Sequence, residues 1–260
     1  MGKDKLKRFA ENLTFECMVQ PEFEDIFHKD HPLKGRWHKD FFKNDNPIIL
    51  ELGCGKGEYT IALAERNPNA NYIGVDIKGA RMWRGAKTAT ENGMTNVGFL
   101  RTRIEFINSF FAEGEVAEIW ITFPDPQMKK VRKRLTSTRF LELYREVLKP
   151  EGIVHLKTDS PFLYTYTQAM VKENSYLLLV DTSDLYNTDQ TLGIVNQESD
   201  IEEARALQTH YEHQWLDRGL TIKYLCWELP AEPSLIEPEI EIEKDTYRSY
   251  GRNYVSTTNN

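Results

Sequence analysis

The amino-acid sequence predicts an α/β fold, with helices on both faces of a mostly parallel sheet. Short apolar segments rich in β-branched residues alternate along the chain with longer helical segments, and this order is typical of doubly wound sheets. A glycine-rich turn follows the first apolar segment, as it does at the ligand-binding edge of such sheets. The last two strand candidates could pair antiparallel, which would give the sheet an antiparallel edge strand.

Seven segments have the short, apolar character of buried strands, so that each is expected to form one strand of a seven-stranded sheet. They lie at residues 47–52, 71–76, 97–101, 116–122, 152–158, 176–180 and 220–229. Helices are expected between them, at residues 58–66, 78–91, about 137–148, after 158, and near 200–217. Prolines after residue 122 and the KPEG sequence at 149–152 mark two of the connecting loops.

The strand candidates confine the sheet-forming domain to residues 47–230. Residues 1–46 have little hydrophobic periodicity and are expected to form an N-terminal arm or cap. Residues 231–260 begin with a Pro- and Glu-rich stretch of weak pattern, and we expect an acidic C-terminal extension there instead of a second domain.

The composition favours a globular protein with one large core, because 40% of the 260 residues are hydrophobic. No apolar run approaches the roughly 20 residues of a membrane helix, and the N-terminus lacks the apolar core of a signal peptide. We therefore expect a cytoplasmic protein without a membrane partner. Cys17, Cys54 and Cys226 are widely spaced and no metal-binding motif occurs, so neither a disulfide nor a metal site is expected.

Charge is unevenly distributed along the chain. The net charge of −7 argues mildly against a nucleic-acid partner. Residues 129–139, however, contain six basic residues and no acidic one, whereas much of the acid lies after residue 227. The basic stretch could bind phosphates or form a solvated surface, and its residues alone leave both interpretations open.

The sequence ELGCGKG at residues 51–57 lies where the first predicted strand turns into a helix. Glycines let the backbone approach a ligand and adopt positive φ, and the following helix presents unpaired N–H groups. A dinucleotide site favours GxGxxG beside a diphosphate, whereas this chain has GxGxG directly after Glu51. An acid repels a diphosphate and attracts an ammonium group, so Glu51 favours a cofactor with a methionine moiety.

Asp76 ends the second predicted strand, 23 residues after Gly53. An acid at this place accepts hydrogen bonds from two ribose hydroxyls. Nicotinamide and methionine-derived cofactors both use such an acid, so Asp76 supports a nucleoside without choosing between them. A turn that merely packs a helix on a strand is the alternative for the glycine motif.

A second group of polar residues follows later strands and is expected at the same edge of the sheet. Two prolines restrict the loop that carries Asp125, and its carboxylate could accept hydrogen bonds from the N1–H and N2–H₂ edge of guanine. Asp159 and residues 209–212 (Thr-His-Tyr-Glu) could complete a base pocket, although helix surfaces often carry such residues. The candidates for contacts with RNA phosphates are Lys130, Arg132, Lys133 and Arg134.

These motifs together resemble the bacterial tRNA (guanine-N7)-methyltransferases. The resemblance covers most of residues 45–229 and rests on ELGCGKG, YIGVD, FPDP followed by KK and RKRL, KTD, and THYE. Many methyltransferases share the glycine motif, whereas FPDP with a downstream basic cluster is specific. The resemblance implies a Rossmann-like class I methyltransferase fold and S-adenosyl-L-methionine as the methyl donor. The implied acceptor is N7 of a guanosine in the variable loop of tRNA.

The resemblance also implies residue roles, among them a catalytic role for Asp125. The expected cofactor-binding residues are Glu51, Gly53, Gly55, Gly57, Asp76, Arg103 and Asp125. The expected substrate-binding residues are Lys129, Asp159, Thr209, His210, Tyr211 and Glu212. Arg103 stands where the family has an acid near the adenine, so its backbone is expected to make the contact. Gln127 replaces a tryptophan that is usual in the family.

Other functions remain open on the sequence. A class I methyltransferase acting on a small molecule or a protein would keep the cofactor site and leave Lys129–Arg139 as a solvated surface. A non-catalytic RNA-binding protein on a methyltransferase scaffold would not need Glu51 and Asp76. The GxGxG spacing disfavours a nicotinamide oxidoreductase. A monomer and a homodimer are both compatible with the sequence.

Overall fold

The structure, a computed structural model, describes residues 2–187 and 198–247. Among these residues one sheet contains eight strands in the order β1-β4-β3-β2-β5-β6-β8-β7. The strands are β1 Met18–Val19, β2 Ile48–Leu52, β3 Asn71–Asp76, β4 Val97–Arg101, β5 Val116–Thr122, β6 Leu148–Thr158, β7 Leu178–Thr182 and β8 Lys223–Glu228.

Helices surround this sheet and connect most of its parallel strands. The α-helices are α1 Gly2–Asn12, α2 Phe23–Ile26, α3 Glu58–Arg66, α4 Gly79–Glu91, α5 Thr138–Arg145, α6 Pro161–Glu173, α7 Glu198–Ala206 and α8 His210–Leu216. A π-helical turn spans Trp37–Phe42, and 3₁₀ turns span Ile104–Ser109 and Val131–Lys133. No helix in residues 2–187 and 198–247 combines the length and apolarity that crossing a bilayer requires.

The alternation of side chains along the buried strands divides the core into two layers. In β2, Ile48 and Leu50 pack in the layer that contains the apolar faces of α5 and α6. Ile49 points the other way, into the layer formed with α3, α4 and α7. Since a strand buried on both faces reads as a continuous apolar run, the sequence correctly predicts that helices cover both sides of the sheet.

All seven predicted strands are present, and the predicted mostly parallel α/β class is confirmed. The N-terminal arm adds an eighth strand, β1, which pairs parallel with β4. Two residues are too few to show a periodicity, so the sequence does not reveal this strand. Strand β8 runs antiparallel to both β6 and β7, so there are two antiparallel pairings at this side of the sheet.

The predicted helix near residues 200–217 is two helices, α7 and α8, with a break before Thr209. Thr209 is the N-cap of α8, and its hydroxyl accepts a hydrogen bond from the backbone N–H of Glu212 at 3.3 Å. The Glu212 carboxylate in turn accepts the backbone N–H of Thr209 at 3.3 Å. This reciprocal capping starts a new helix at this point.

Both segments outside residues 47–230 pack against the sheet domain. Helix α1 lies along α4, where the Asn12 side-chain amide donates to the Gly79 carbonyl at 2.9 Å and the Trp83 indole donates to Glu11 at 2.8 Å. The described part of the C-terminal extension, residues 231–247, first contacts the C-terminal ends of α5 and α6 and then their N-terminal ends. Residues 248–260 of the predicted extension lie outside the described residues.

The chain reverses direction across the sheet between β2 and β5, which are neighbours in the middle of the order. Strand β2 is followed by β3 on one side, whereas β5 lies on its other side and leads on to β6. Helices that leave the carboxyl ends of these strands diverge, and a crevice opens at this point. The sequence-predicted acids Glu51, Asp76, Asp125 and Asp159 all lie at or just beyond these strand ends.

Candidate active site

Two adjoining cavities occupy the crevice at the carboxyl edge of the sheet. The smaller, of about 290 Å³, is lined by Glu51, Asp159 and the glycine loop. The larger, of about 600 Å³, is lined by Asp76 and Asp125. Gly53, Thr122, Phe123 and Arg81 line both cavities. Small-molecule sites typically enclose about 300–1,000 Å³, so the two compartments together can hold a nucleoside-sized ligand and a second reactant.

The three glycines of the loop after β2 have different roles: two face the crevice and one is needed for packing. Gly53, Gly55 and Gly57 all have positive φ, at 83°, 57° and 73°. A Cβ on Gly53 would meet no atom within 4 Å, and one on Gly55 would meet only a carbonyl oxygen at 3.9 Å, so both face open space in the crevice. A Cβ on Gly57 would lie 2.5 Å from the Phe99 ring. Gly57 is therefore needed for packing and for the start of α3, and it does not line either cavity.

Glu51 is a buried carboxylate that receives only neutral donors. Its oxygens accept hydrogen bonds from the Thr60 backbone N–H at 2.8 Å, from the Thr60 hydroxyl, and from the Thr122 hydroxyl at 2.7 Å. Burial raises the pKa of this carboxyl to about 7, although the hydrogen bonds from Thr60 and Thr122 lower it. In the part of the chain that the structure describes, no cation forms an ion pair with this buried acid, and an acid of this kind at the wall of a cavity suits a ligand that brings a positive charge.

Asp76, at the end of β3, ties the glycine loop to the next helix. One carboxylate oxygen accepts the Gly55 backbone N–H at 3.0 Å, and the other accepts the Lys78 backbone N–H at 2.8 Å. Each carboxylate oxygen has two lone pairs, so the half-buried side chain retains acceptor capacity toward the larger cavity. The arrangement fits a carboxylate that accepts ribose hydroxyls.

Asp125 lies on a loop whose backbone conformation is unusual on both sides. Phe123 and Gln127 have positive φ, at 48° and 46°, a conformation that costs non-glycine residues about 1–3 kcal/mol and clusters at functional sites. The Asp125 carboxylate accepts the Gln127 backbone N–H at 2.9 Å, and the side chain is exposed toward the larger cavity. Gln127 also lines this cavity.

Of the six basic side chains in residues 129–139, five are exposed and one is buried. Among the predicted phosphate contacts, Lys130, Arg132 and Lys133 are exposed, and so is Lys129, which the sequence predicts to bind substrate. Lys133 and Arg139 also line the larger cavity. Arg134 is only 6% exposed, and its guanidinium donates to the carbonyls of Gln127 and Met128 at 3.3 and 3.1 Å. In this structure Arg134 therefore supports the Asp125 loop from inside, and its contact with an RNA phosphate stays a prediction of the sequence.

Asp159 follows β6 and lines the smaller cavity with Thr209 and Trp215. Its side chain is fully buried, and the Tyr247 hydroxyl donates to it at 2.7 Å. The side chains of His210 and Tyr211 lie outside the described part of the structure, so only their places at the start of α8 are given. Of the predicted Thr-His-Tyr-Glu group, the structure therefore brings Thr209 to the cavity.

Glu212, predicted as a substrate-binding residue, lies behind the cavity wall. Its carboxylate is fully buried, pairs with the Lys157 ammonium at 2.8 Å, and accepts the Tyr186 hydroxyl. Glu212 does not line either of the two cavities of the crevice. In this structure it supports the Thr209 end of α8 and does not face the crevice.

Arg103 borders the larger cavity next to Asp76. Its side chain is exposed and forms an ion pair with Glu105 at 3.3 Å. Glu105 lines the same cavity, so an acid is present at the place where the sequence predicts only the backbone of Arg103 to serve. The exposed guanidinium is oriented toward this acid and toward the Phe106 ring.

Several residues that line the crevice are not among those predicted from the sequence. Tyr59 and Arg81 lie in the first turns of α3 and α4, the helices that follow β2 and β3. Their place directly after two strand ends is a signal that could have identified them. Trp215, on α8, carries no comparable signal. No cluster of metal-ligating side chains occurs in residues 2–187 and 198–247.

Known proteins are similar to this chain over most of its length. A family model described as "Putative methyltransferase" matches residues 45–225. A protein of Porphyromonas gingivalis named tRNA (guanine-N(7)-)-methyltransferase is 61% identical over 243 residues, which cover 92% of this chain and 96% of that protein. A protein of the same name from Bacteroides fragilis is 53% identical over 252 residues, covering 97% of this chain and 96% of that one.

Solved structures share the fold at low sequence identity. The crystal structure of the 16S rRNA methyltransferase KamB matches with a TM-score of 0.56 and 14% identity, covering 77% of this chain and 95% of that one. At this identity the likeness establishes the architecture alone. The relatives of much higher identity cover nearly the whole chain and carry one name. This chain therefore belongs to the family of the tRNA (guanine-N(7)-)-methyltransferases.

Proposed function

We propose that this protein transfers a methyl group from S-adenosyl-L-methionine to N7 of a guanosine in the variable loop of tRNA. The observation that carries the proposal is the similarity to relatives that bear the name of this activity. They are 53% and 61% identical to this chain over 97% and 92% of its length. The crevice adds independent support. It combines a buried carboxylate that can pair with a cation (Glu51), a carboxylate that can accept hydrogen bonds from ribose hydroxyls (Asp76), and an exposed basic stretch. The cytoplasmic location and the monomeric or dimeric state stay predictions of the sequence.

The residues of the glycine loop and its neighbours fit the proposed cofactor, which supplies a methyl group activated on a sulfonium centre. Glu51 would accept the ammonium of its methionine part, since that carboxylate is buried beside the smaller cavity with neutral donors only. Asp76 would accept the ribose hydroxyls in the larger cavity. Gly53 and Gly55 leave the open space that a ligand backbone needs.

The acceptor atom makes modest demands on the protein. Guanine N7 carries a lone pair and no proton, so its attack on a methyl group requires no general base. The contribution of the enzyme is then mainly alignment, which can supply about 7–11 kcal/mol of the barrier. The methylated base is cationic, and carboxylates near it gain interaction energy as the charge develops. Asp125 and Asp159, on either side of Phe123, are the groups that could hold the base and stabilise this charge.

The exposure of Asp125 explains why the substrate should be a large molecule. A carboxylate in contact with water is screened and stabilises a developing cation weakly. Binding of RNA across the exposed residues Lys129, Lys130 and Arg132 would cover this loop and remove that water. A small-molecule acceptor would leave Asp125 exposed to water. The geometry therefore favours tRNA over a small molecule as the methyl acceptor.

The test is incubation of the protein with radiolabelled S-adenosyl-L-methionine and unmodified tRNA, followed by nucleoside analysis. Label in 7-methylguanosine supports the proposal. Label only in protein or in small molecules would favour another class I methyltransferase, and bound RNA without label would favour a non-catalytic RNA-binding protein. Any of those outcomes contradicts the proposal.

The role of Asp125 is tested in the same assay. Asp125→Ala should lower turnover about 10²–10³-fold, the usual cost of losing one transition-state contact, while the affinity for the product S-adenosylhomocysteine changes little. Glu113→Ala is the matched control, because Glu113 is an exposed carboxylate near the start of β5, at the opposite edge of the sheet. Equal losses in turnover and cofactor affinity in Asp125→Ala would rule out this role.

A further inference from the structure

The acidic extension reaches the active site by fastening to two helix N-termini. At the start of α5, the Glu237 carboxylate accepts the Thr138 backbone N–H at 3.2 Å and the Thr138 hydroxyl at 2.8 Å. The Tyr166 hydroxyl of α6 also donates to Glu237. Unpaired N–H groups and the helix dipole favour a negative charge at such a place. Glu237 thus forms the first latch of the segment.

The second latch lies at the start of α6. Asp245 is 6% exposed, and its carboxylate accepts the Phe162 backbone N–H at 3.0 Å and the Ser160 hydroxyl. Ser160 is itself the N-cap of α6. The backbone N–H of Asp245 points at the sulfur of Met128 at 3.2 Å, next to the basic stretch. The extension therefore runs from α5 to the strand end that carries Asp159.

Two residues beyond the second latch, Tyr247 lies behind the wall of the smaller cavity, in contact with two residues that line it. Its hydroxyl donates to the Asp159 carboxylate at 2.7 Å. Its ring meets the Trp215 ring edge-on, with centroids 5.6 Å apart and planes at 73°. Asp159 and Trp215 both line the cavity that also contains Glu51. One aromatic side chain of the extension thus contacts the two parts of the wall that face the glycine loop.

We propose that Tyr247 is a positioning residue of the active site, which holds the Asp159 carboxylate and the Trp215 ring in place for the base of the substrate. This inference rests on the proposed function. The latches at Glu237 and Asp245 fix the segment that delivers Tyr247. The family model ends at residue 225, so this part of the site is supplied by a segment outside the matched region.

The physical argument depends on the burial of Asp159. A fully buried carboxylate is stable only when strong donors surround it, and a phenol donating to a charged oxygen is a charge-assisted bond. Such a bond fixes the plane of the carboxylate. The orientation of that plane decides whether the carboxylate can accept hydrogen bonds from the N1–H and N2–H₂ groups of a guanine. Tyr247 does not line the described cavities, so its effect on the reaction passes through Asp159 and Trp215.

The experiment compares Tyr247→Phe with the full-length wild-type protein in the tRNA methylation assay. Loss of a hydrogen bond to a charged group corresponds to about tenfold or more, so kcat/KM for tRNA should fall by about that factor. The dissociation constant for S-adenosylhomocysteine should stay within about twofold. Asp245→Ala, which releases the second latch, should lower kcat/KM for tRNA in the same way.

A double-mutant cycle separates positioning from a general structural role. If Tyr247 acts through Asp159, Tyr247→Phe should have little further effect on the single-turnover rate in an Asp159→Ala background. Tyr164→Phe is the matched control, because it removes a phenol that donates to a half-buried carboxylate, that of Asp181 in β7, away from Asp159 and from both latches. This control should change kcat/KM for tRNA much less than Tyr247→Phe.

The outcomes are distinguishable. A wild-type protein that makes 7-methylguanosine, together with unchanged kinetics in Tyr247→Phe, would overturn the inference and leave the proposed function standing. Additive effects of Tyr247→Phe and Asp159→Ala would also overturn it. A wild-type protein that makes no 7-methylguanosine would remove the proposed function and, with it, this role of Tyr247.

Discussion

The Lys157 ammonium lies 2.8 Å from the Glu212 carboxylate, and both side chains are fully buried. The same ammonium donates to the carbonyls of Ala204 and Leu207 at 2.7 and 2.6 Å. These carbonyls belong to the C-terminal end of α7, where helices leave acceptors unpaired and carry partial negative charge. The pair therefore joins strand β6 to the junction of α7 and α8, beside the cavity residue Thr209.

Breaking this pair should destabilise the protein strongly. Lys157→Met keeps the length of the side chain but leaves the Glu212 charge buried beside it, at a typical cost of about 3–5 kcal/mol. The free energy of unfolding, measured by urea denaturation followed by circular dichroism, should fall by that amount. The double variant Lys157→Met/Glu212→Leu removes both charges and should recover part of the loss. If the double variant lost as much free energy of unfolding as the two single variants together, this account would be contradicted.

Ligand affinity should depend on pH through Glu51. Burial raises the pKa of this carboxyl to about 7, so its contribution to the stability of the unliganded protein is complete below pH 4.5 and is lost as the pH rises through about 7. An ammonium group pairs with the ionised form. Affinity for S-adenosylhomocysteine should therefore increase from about pH 5.5 to about pH 7, approaching tenfold per pH unit.

Isothermal titration calorimetry near pH 6, in buffers of different ionisation enthalpy, measures the accompanying proton release. Glu51→Gln is the control, because it keeps acceptor and donor groups in the Thr60–Thr122 pocket but cannot ionise. This variant should bind more weakly, with little pH dependence and no proton release from this site. A variant that keeps the wild-type slope would show that another group controls the titration.

The glycines of the loop should separate stability from ligand binding. Gly57→Ala places a methyl group 2.5 Å from the Phe99 ring at positive φ, so overpacking and backbone strain should together cost about 2–4 kcal/mol. Gly53→Ala has no atom within 4 Å of its methyl group and should cost only the strain of about 1–2 kcal/mol. Its methyl group, however, occupies the space over the loop, so affinity for S-adenosylhomocysteine should fall.

Denaturation curves and calorimetry on both glycine variants check this contrast. Gly57→Ala should show the larger loss of stability, and Gly53→Ala the larger loss of affinity relative to stability. The reverse order would mean that the ligand does not pass over Gly53.

Local patterns in the sequence predict most of this fold, because strand burial and helix periodicity leave a mark on neighbouring residues. The two-residue strand β1 leaves no such mark, since its pairing with β4 depends on residues far away in sequence. The break before α8 did have a local signal: Thr209 and Glu212 are spaced as a capping box. It was obscured by the charged pattern that continues on both sides.

The residues of the candidate site likewise fall into two groups: those predictable from local sequence and those that depend on contacts with distant residues. Glu51, Asp76 and Asp125 are predictable because each follows a strand in the chain and so must reach the same edge. Tyr247 contacts Asp159 from 88 residues away, and no spacing rule links the two. The burial of Arg134 is equally invisible in a run of basic residues, since it depends on the aromatic rings of α6 that lie beneath it.

Arg132 and Arg134, two residues apart in the basic stretch, should respond differently to removal. Arg132 is exposed, so Arg132→Ala should weaken tRNA binding, lower its salt dependence by about one unit of slope, and leave stability unchanged. Arg134→Ala removes the side-chain hydrogen bonds to the carbonyls of Gln127 and Met128. This variant should have lower stability and lower turnover. Salt-dependent binding assays and denaturation measure the two effects. Identical responses in both variants would mean that the buried guanidinium does not organise the Asp125 loop.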